Sequence, residues 1–377
     1  MTLKVYLIAG EPSGDLLGAR VMRALKKRQS DIQIFGVGGE SMQAEGLKSL
    51  FDIKDLSVMG FLEVIPHLPK ILRHFREIQK DIQKIQPDII MTIDSYSFSI
   101  RVHKMLKKMD CKVPHVHLVA PQVWAWQKGR AKIIGHFVDH LFCLLPNEPE
   151  YFAPYGMPAT FVGHPVIEGG ADKGNAADFK QHHGISTDKR IVCLLPGSRS
   201  NEIKYLLSDF MRVADNLFAL NPDLFFVIPT VETVRETIEK QTQNWSTPHL
   251  VVTGETERYN AFAAASAALA ASGTVSLELA LAKVPHLIAY RMNKLTAAVA
   301  RRVLKIKYVN LLNLLENREI IPELLQENCT VEKMTQTMQA LLGGGKQETE
   351  AALAKLKKET NPSEQVVDKL IQLVRGA

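Results

Sequence analysis

The chain alternates short, nearly continuous apolar runs with longer stretches in which apolar residues recur at helical spacing, and it does so twice. In the first series, residues 5–9, 32–37, 89–93, 115–119, 140–144 and 160–162 read as strands. Between them, segments such as 15–27 and 68–85 carry the apolar period of amphipathic helices. The pattern restarts with strands at 190–195, 224–228, 250–252, 267–271 and 286–290, and with helices at 203–220 and 231–241. This alternation predicts βαβ units on parallel sheets, and hence two successive doubly wound α/β domains. Ligands of such sheets bind outside the carboxyl ends of the strands, so the expected site is a central cleft faced by strand-to-helix loops of both domains.

The expected domains are residues 1–167 and 176–344, joined by a Gly/Asp/Lys-rich linker at 168–175. Residues 345–377 are polar and helical, with Pro362 breaking them before a final amphipathic helix. These last helices are expected to pack back on the first domain or on a partner subunit. At 377 residues, 46 % apolar and 23 % charged, the chain has enough material for two ordinary cores. No stretch approaches the ~20 apolar residues of a membrane span. The amino-terminal segment lacks the layout of a signal peptide and runs straight into a strand. Cys111, Cys143, Cys193 and Cys329 form no CxxC pair, so they read as reduced, mostly core thiols, and no metal site is expected.

The net charge of +6 says less than its placement. Arg291, Lys294, Arg301, Arg302, Lys305 and Lys307 interleave with Leu295, Val299, Val303, Leu304 and Ile306, with no acid among them. Such a segment suits an anionic membrane surface or a phosphorylated ligand, or is simply a solvated helix face. No nucleic-acid-binding motif accompanies it.

The candidate chemistry clusters at strand ends. Ser272-Gly273-Thr274 follows a run of small residues and precedes a helix-compatible segment with Glu278. It is either a capped helix or a phosphate seat built on free backbone N–H groups, with Glu278 placed to accept from ribose hydroxyls. Gly10-Glu11-Pro12-Ser13-Gly14-Asp15 forms the first strand-to-helix junction, with no Walker Lys and no GxGxxG order. It reads as a tight glycine turn or a substrate loop. Asp94, ending its strand, is a general-base candidate or a helix cap. Pro121-Gln122-Val123-Trp124-Ala125-Trp126 offers aromatic faces for a sugar or an apolar chain, or for the core. Arg199, in Leu195-Pro196-Gly197-Ser198-Arg199, suits a pyrophosphate or pairs with Glu202. With no Asp-x-Asp pair to hold a metal–pyrophosphate complex, cationic side chains and a helix N-terminus would neutralise a leaving diphosphate.

Taken together, these segments resemble the lipid-A-disaccharide synthase family, GT-B glycosyltransferases of lipopolysaccharide assembly. Further matching segments are Val58-Met59-Gly60-Phe61-Leu62-Glu63-Val64, Val162-Gly163-His164-Pro165, Tyr308-Val309 with Asn313-Leu314-Leu315, and Glu323-Leu324-Leu325-Gln326. They run in family order from residue 10 to about residue 330.

The resemblance implies a GT-B fold of two Rossmann-like domains. It implies transfer of 2,3-diacylglucosamine from its UDP derivative to 2,3-diacylglucosamine 1-phosphate (lipid X), with inversion and without a metal or other cofactor. It also implies a place at the cytoplasmic face of a Gram-negative inner membrane, and it leaves room for a homodimer. Carried over by position, Asp94 is the base, and Arg199, Ser272, Gly273, Thr274 and Glu278 bind UDP. Asn313 and Gln326 lie in further donor-side motifs. Glu11, Ser13, Gly14, Asp15, Met59, Gly60, Glu63 and Trp124 fall on the acceptor and lipid side. Residues 59–71, apolar and followed by Arg73, His74 and Arg76, suggest an acyl-chain surface with a basic rim, or else ordinary core. Two positions depart from the family pattern. Ser97 stands where many relatives carry a second Asp, which favours Asp94 as the base, and Leu312 replaces a proline common before the Asn. The competing readings are another UDP-GlcNAc-type enzyme, such as a lipid II-forming transferase or an epimerase, and a non-catalytic nucleotide-sugar or lipid-binding protein.

Overall fold

The computed structural model describes residues 2–56, 68–125, 127, 129–293 and 307–376. The chain forms two compact units, Met1–Pro165 with Leu356–Ala377, and Val166–Lys355.

The first unit opens with β1 (Leu3–Ala9), α1 (Pro12–Arg28), β2 (Ile32–Val37), α2 (Glu40–Ala44) and α3 (Leu68–Ile85). It continues through β3 (Ile89–Ile93), α4 (Tyr96–Lys108), β4 (His115–Leu118), α5 (Gly129–Phe137), β5 (His140–Cys143), α6 (Glu148–Phe152) and β6 (Ala159–Phe161). The second unit holds α7 (Ala176–His182), β7 (Arg190–Leu195), α8 (Ser200–Leu220), β8 (Leu224–Thr230), α9 (Glu232–Thr242) and β9 (His249–Thr253). After these come α10 (Glu255–Ala264), β10 (Ala265–Ala271), α11 (Val275–Leu281), β11 (His286–Tyr290), α12 (Leu311–Glu316), β12 (Glu323–Leu325), α13 (Val331–Leu342) and α14 (Glu350–Lys355). The chain then returns to the first unit with α15 (Pro362–Arg375), whose first position is the helix-compatible Pro362.

Each unit carries one all-parallel sheet of six strands, in the orders β2-β1-β3-β4-β5-β6 and β12-β11-β10-β7-β8-β9. Parallel strands covered on both faces read as continuous apolar runs, which is why strands such as β3 (all five residues buried) stood out in the sequence. One core joins Leu7, Met91 and Phe142 to α1 and to Val366, Val367 and Leu370 of α15. In the second unit, Phe210 and Leu217 of α8 pack with Phe226, Leu269 and Met338.

Three expectations are revised. The alanine run 261–271 changes conformation midway, with α10 ending at Ala264 and β10 starting at Ala265, so that strand begins two residues before its expected start. β12 went unread because three residues carry too little period to register. Residues 168–175 are not a loose tether. Ala171 is buried, and Gly174 lies so close to the Tyr259 carbonyl that a Cβ there would sit 2.0 Å from its oxygen.

Candidate active site

In both sheets the chain reverses its direction of growth once, between β1 and β3 and between β7 and β10. These are the switch points at which adjacent loops splay apart and leave room for a ligand. Asp94 and Ser13 sit at the first, and Arg199 and Ser272-Gly273-Thr274 at the second.

At the first switch point Ala9 pairs with Ile93, so the loop after β1 meets the residue that ends β3. Gly14 makes this contact feasible, since a Cβ there would lie 2.8 Å from the Ile93 carbonyl oxygen. Ser13 Oγ donates to Asp94 Oδ2 at 2.6 Å, and the Ser95 N–H donates to Oδ1 at 2.8 Å. Asp94 and Ser95 both occupy the left-handed region, with φ of 56° and 43°. Ser99 Oγ fixes the Asp94 carbonyl at 2.7 Å. Two successive non-glycine residues in that region are costly, and such strain persists only where the surroundings over-determine it, often at functional sites. Val119, just after the neighbouring β4 at φ 84°, adds a β-branched outlier to the same end of the sheet.

Behind Asp94 lies a polar layer that sequence reading missed. Thr92 Oγ1 sits 2.7 Å from both His103 Nε2 and His117 Nδ1, all three residues being buried. Burial pushes the His117 imidazole down to about 4, against the pull of the Asp94 carboxylate, so the ring is neutral near pH 7. His103 is likewise held well below its ordinary value by burial and then by His117. In the sequence His117 alternates with apolar residues on a strand and His103 falls within a helix, and neither carries a signal of its own.

The remaining acceptor-side residues separate. Glu11 is exposed at the N-cap of α1. Asp15 is buried and caps α2 instead: Oδ1 accepts from the Gly39 and Met42 N–H groups at 2.7 and 3.0 Å, and Oδ2 from Ser41 N–H at 2.8 Å. A carboxylate so used at a helix start has a structural role, which corrects the substrate-side expectation for it. Met59, Gly60, Glu63 and Trp126 lie outside the described residues.

Half-buried Trp124 donates from Nε1 to Glu148 Oε1 at 3.3 Å. Glu148 also accepts from the Leu144 and Leu145 N–H groups at 3.0 Å each, yet burial pushes its carboxyl up to about 7. A lone Glu after a strand looks solvated in the sequence, and only the fold reveals its burial. The expected basic rim also changes. Leu72 and Arg73 of α3 are exposed, but His74 is buried between Glu77 and Asp55 at 2.7 and 3.2 Å and stacks on Phe51.

At the second switch point, Gly197 (φ 120°) turns the chain out of β7 so tightly that a Cβ would collide with Glu202. Glu202 Oε2 accepts from the Ser198 and Arg199 N–H groups at 2.9 and 3.2 Å. The Arg199 guanidinium is 69 % exposed and touches Glu202 only at 3.4 Å, so most of its donors face solvent. Tyr290, ending β11, lies within reach of the same pair: burial and then the Glu202 charge push its phenol up, and Arg199 opposes them.

Gly273 and Thr274 are exposed before α11, and a Cβ on Gly273 would meet open space. Glu278 is held from α10, where Arg258 Nη2 and Tyr259 OH donate to its Oε1 at 3.1 and 3.3 Å. Nothing local in the chain marks these two partners, which lie twenty and nineteen residues away. Gln326 follows β12 in the left-handed region (φ 51°), next to the Tyr290–Leu325 pair.

Asn313 is corrected. It is fully buried, its Nδ2 donates to the Ile321 carbonyl and to Glu323 Oε1 at 2.7 Å each, and its Oδ1 accepts from the Ile320 and Ile321 N–H groups at 2.8 and 2.9 Å. An amide with all four positions filled has none left for a ligand. It anchors a network that runs through Glu323 and Asn310 to Ser276 and His286. Arg291 also leaves the expected basic face, since its Nη1 donates to Asp209 at 2.6 Å and its Nη2 to the Cys329 carbonyl. Residues 294–306 lie outside the described set, and Lys307 Nζ stands 5.0 Å from the Tyr308 ring centre.

Two parallel-sheet α/β units, each with its polar loops gathered at the sheet's switch point, place the chain in the GT-B fold class. Solved structures agree. A UDP-GlcNAc 2-epimerase from Neisseria meningitidis bound to UDP-GlcNAc aligns with a TM-score of 0.64 at 12 % identity, covering 100 % of both chains. One from Methanocaldococcus jannaschii, in complex with UDP-GlcNAc and UDP, gives 0.63 at 14 % identity over 98 % of this chain and 100 % of that one. At such identities the likeness is one of fold.

The family is fixed by sequence: the model of the lipid-A-disaccharide synthetase family matches residues 5–374. Lipid-A-disaccharide synthases of Paramagnetospirillum magneticum and Rhodospirillum centenum are 48 % and 45 % identical over 341 residues. Those alignments cover 90 % of this chain in both cases and 87 % and 85 % of the relatives. The chain belongs to the lipid-A-disaccharide synthase family of glycosyltransferases.

Proposed function

We propose that the enzyme joins UDP-2,3-diacylglucosamine to lipid X, giving the β-1,6-linked lipid A disaccharide 1-phosphate and UDP with inversion at the anomeric carbon. Asp94 takes the proton of the acceptor 6-hydroxyl as that oxygen attacks C1, and the bond from C1 to the diphosphate oxygen breaks. Arg199 and the N–H groups at Ser272-Gly273-Thr274 stabilise the charge growing on the departing UDP. Glu278, aimed by Arg258 and Tyr259, accepts from the ribose hydroxyls. Ser13 orients the Asp94 carboxylate, while Gly14 lets the two loops meet; Glu11 and Trp124 border the acceptor. Gln326 completes the donor side, and Asn313 acts by holding its loop.

The observation that carries this reading is the position of Asp94. It is a strained carboxylate at a sheet's switch point, hydrogen-bonded to Ser13, in a chain of this family. No metal is assigned a part, because a guanidinium and a helix start supply the positive charge that the leaving group needs. Work at the cytoplasmic face of a Gram-negative inner membrane fits exposed Leu72 beside Arg73 on α3. Among the described residues no helix is long and apolar enough to cross a membrane.

The test is turnover of UDP-diacylglucosamine with lipid X by purified protein, with UDP-GlcNAc as the competing donor, in the presence and absence of chelator. Disaccharide formation from the acylated donor alone, unaffected by chelator, is expected. Equal use of the unacylated sugar would overturn the lipid assignment, and loss of turnover with chelator the metal-free chemistry.

A further inference from the structure

The second unit carries a cluster of ligating side chains that the transfer reaction does not use. His182 ends α7, His183 follows it, and Glu257 projects from the first turn of α10. One ligand atom from each lies within 4.8 Å of the other two. His183 Nε2 and Glu257 Oε2 are 2.7 Å apart, with side-chain exposures of 18 % and 34 %, so two of the three groups are already fixed by their surroundings. The two imidazoles stand edge to face at 88°, with ring centres 4.8 Å apart. A cavity of about 460 Å³ opens beside them, lined in part by His182, Glu257 and Asp178. Asn175 Nδ2 holds Asp178 Oδ2 at 2.7 Å, so a second carboxylate is kept at the cavity wall.

We propose that His182, His183 and Glu257 form a binding site for a borderline divalent transition metal such as Zn²⁺, which clamps α7 onto α10. Two imidazoles and one carboxylate, with a fourth position left to water, form a donor set suited to zinc and poorly suited to Mg²⁺ or Ca²⁺. Zinc–nitrogen and zinc–oxygen bonds at a tetrahedral angle set neighbouring ligand atoms about 3.4 Å apart. The His183–Glu257 pair therefore opens by about 0.7 Å as the ion replaces the proton between the two atoms, and His182 closes in. The proton on Nε2 moves to Nδ1 by exchange with water, because imidazole coordinates through a bare nitrogen. The site goes beyond the transferase reading and does not depend on it.

The test is equilibrium titration of the full-length, chelator-stripped protein with Zn²⁺ against a competing chromophoric chelator, in parallel with Mg²⁺, for wild type, His182→Ala and Glu257→Gln. Glu257→Gln keeps a hydrogen-bond acceptor for His183 and so spares the fold. The expected result is one Zn²⁺ per chain in the wild type, affinity at least about tenfold weaker in either variant, and no effect of Mg²⁺. A melting-temperature rise with Zn²⁺ should be seen in the wild type alone, which separates lost binding from lost folding. Equal Zn²⁺ affinity in all three proteins, or a wild type that binds none, would overturn the proposal.

Discussion

The two switch points solve the same problem by different means. In the first unit, Asp94 is placed by backbone strain and close packing: left-handed residues at 94 and 95, a glycine at 14, and the Ser13 hydroxyl. Buried polar atoms without a partner occur in both units among the described residues: His103 Nδ1, His115 Nε2 and His117 Nε2 in the first, and Thr230 Oγ1 and Arg258 Nε in the second. In the second unit, the loops are set by a hydrogen-bonded lattice in which Asn313 uses every position it has. Backbone strain costs stability and suits a group that has to react, whereas a side chain with every hydrogen-bonding position filled suits a loop that has to hold a ligand still. The contrast fits the division of labour in the proposed reaction: proton transfer in the first unit and nucleotide binding in the second.

The largest effect that would break this contrast is at Asp94. Asp94→Asn keeps the acceptor for Ser13 but removes the base, and should cut kcat by about 10²–10⁴-fold. Steady-state kinetics with saturating donor and acceptor measure it.

Next comes the lattice. Asn313→Ala leaves the Ile320 and Ile321 N–H groups without an acceptor and removes one donor from Glu323, and should cost about 2–4 kcal/mol of stability, read by denaturant midpoint. The same change at exposed Ser13 should cost well under 1 kcal/mol while lowering kcat. Arg258→Lys loses the planar donor to Glu278 and should raise the KM for the UDP donor by roughly tenfold with little change in kcat.

The smallest effect is the pH dependence of stability. Burial depresses His117 and His286 to about 4, so the unfolded chain binds more protons than the folded one between about pH 4 and pH 6.5. Their contribution is complete above pH 6.5 and drains away as the pH falls toward 4. Glu148, raised to about 7, has the opposite sign: its contribution is greatest near pH 4.5 and is lost as the pH rises through 7. Thermal melts of Glu148→Gln against the wild type should converge at pH 5 and diverge at pH 8, with the variant the more stable at pH 8.

How much of this was legible in the sequence follows from the range of each signal. Strands buried on both faces announce themselves locally, so the two parallel sheets and the positions of Asp94, Arg199 and Ser272-Gly273-Thr274 at strand ends could be read off the chain. Partners distant in sequence could not. Asp15 looked like a substrate group because nothing near it in sequence shows that α2 needs a cap. Asn313 carried a motif's promise of a ligand, but its four hydrogen bonds reach residues seven to ten positions onward, across a turn that no periodicity encodes. Glu148 and the Thr92–His103–His117 layer required knowing which faces end up inside.

The most direct test of the division of labour sets Asp94→Asn and Glu278→Gln side by side, measuring kcat and the Kd for UDP on the same preparations. The account predicts that Asp94→Asn loses turnover with UDP affinity unchanged, while Glu278→Gln loses UDP affinity and largely keeps its turnover at saturation. Weakened UDP binding in Asp94→Asn, or near-normal turnover in that variant, would contradict it.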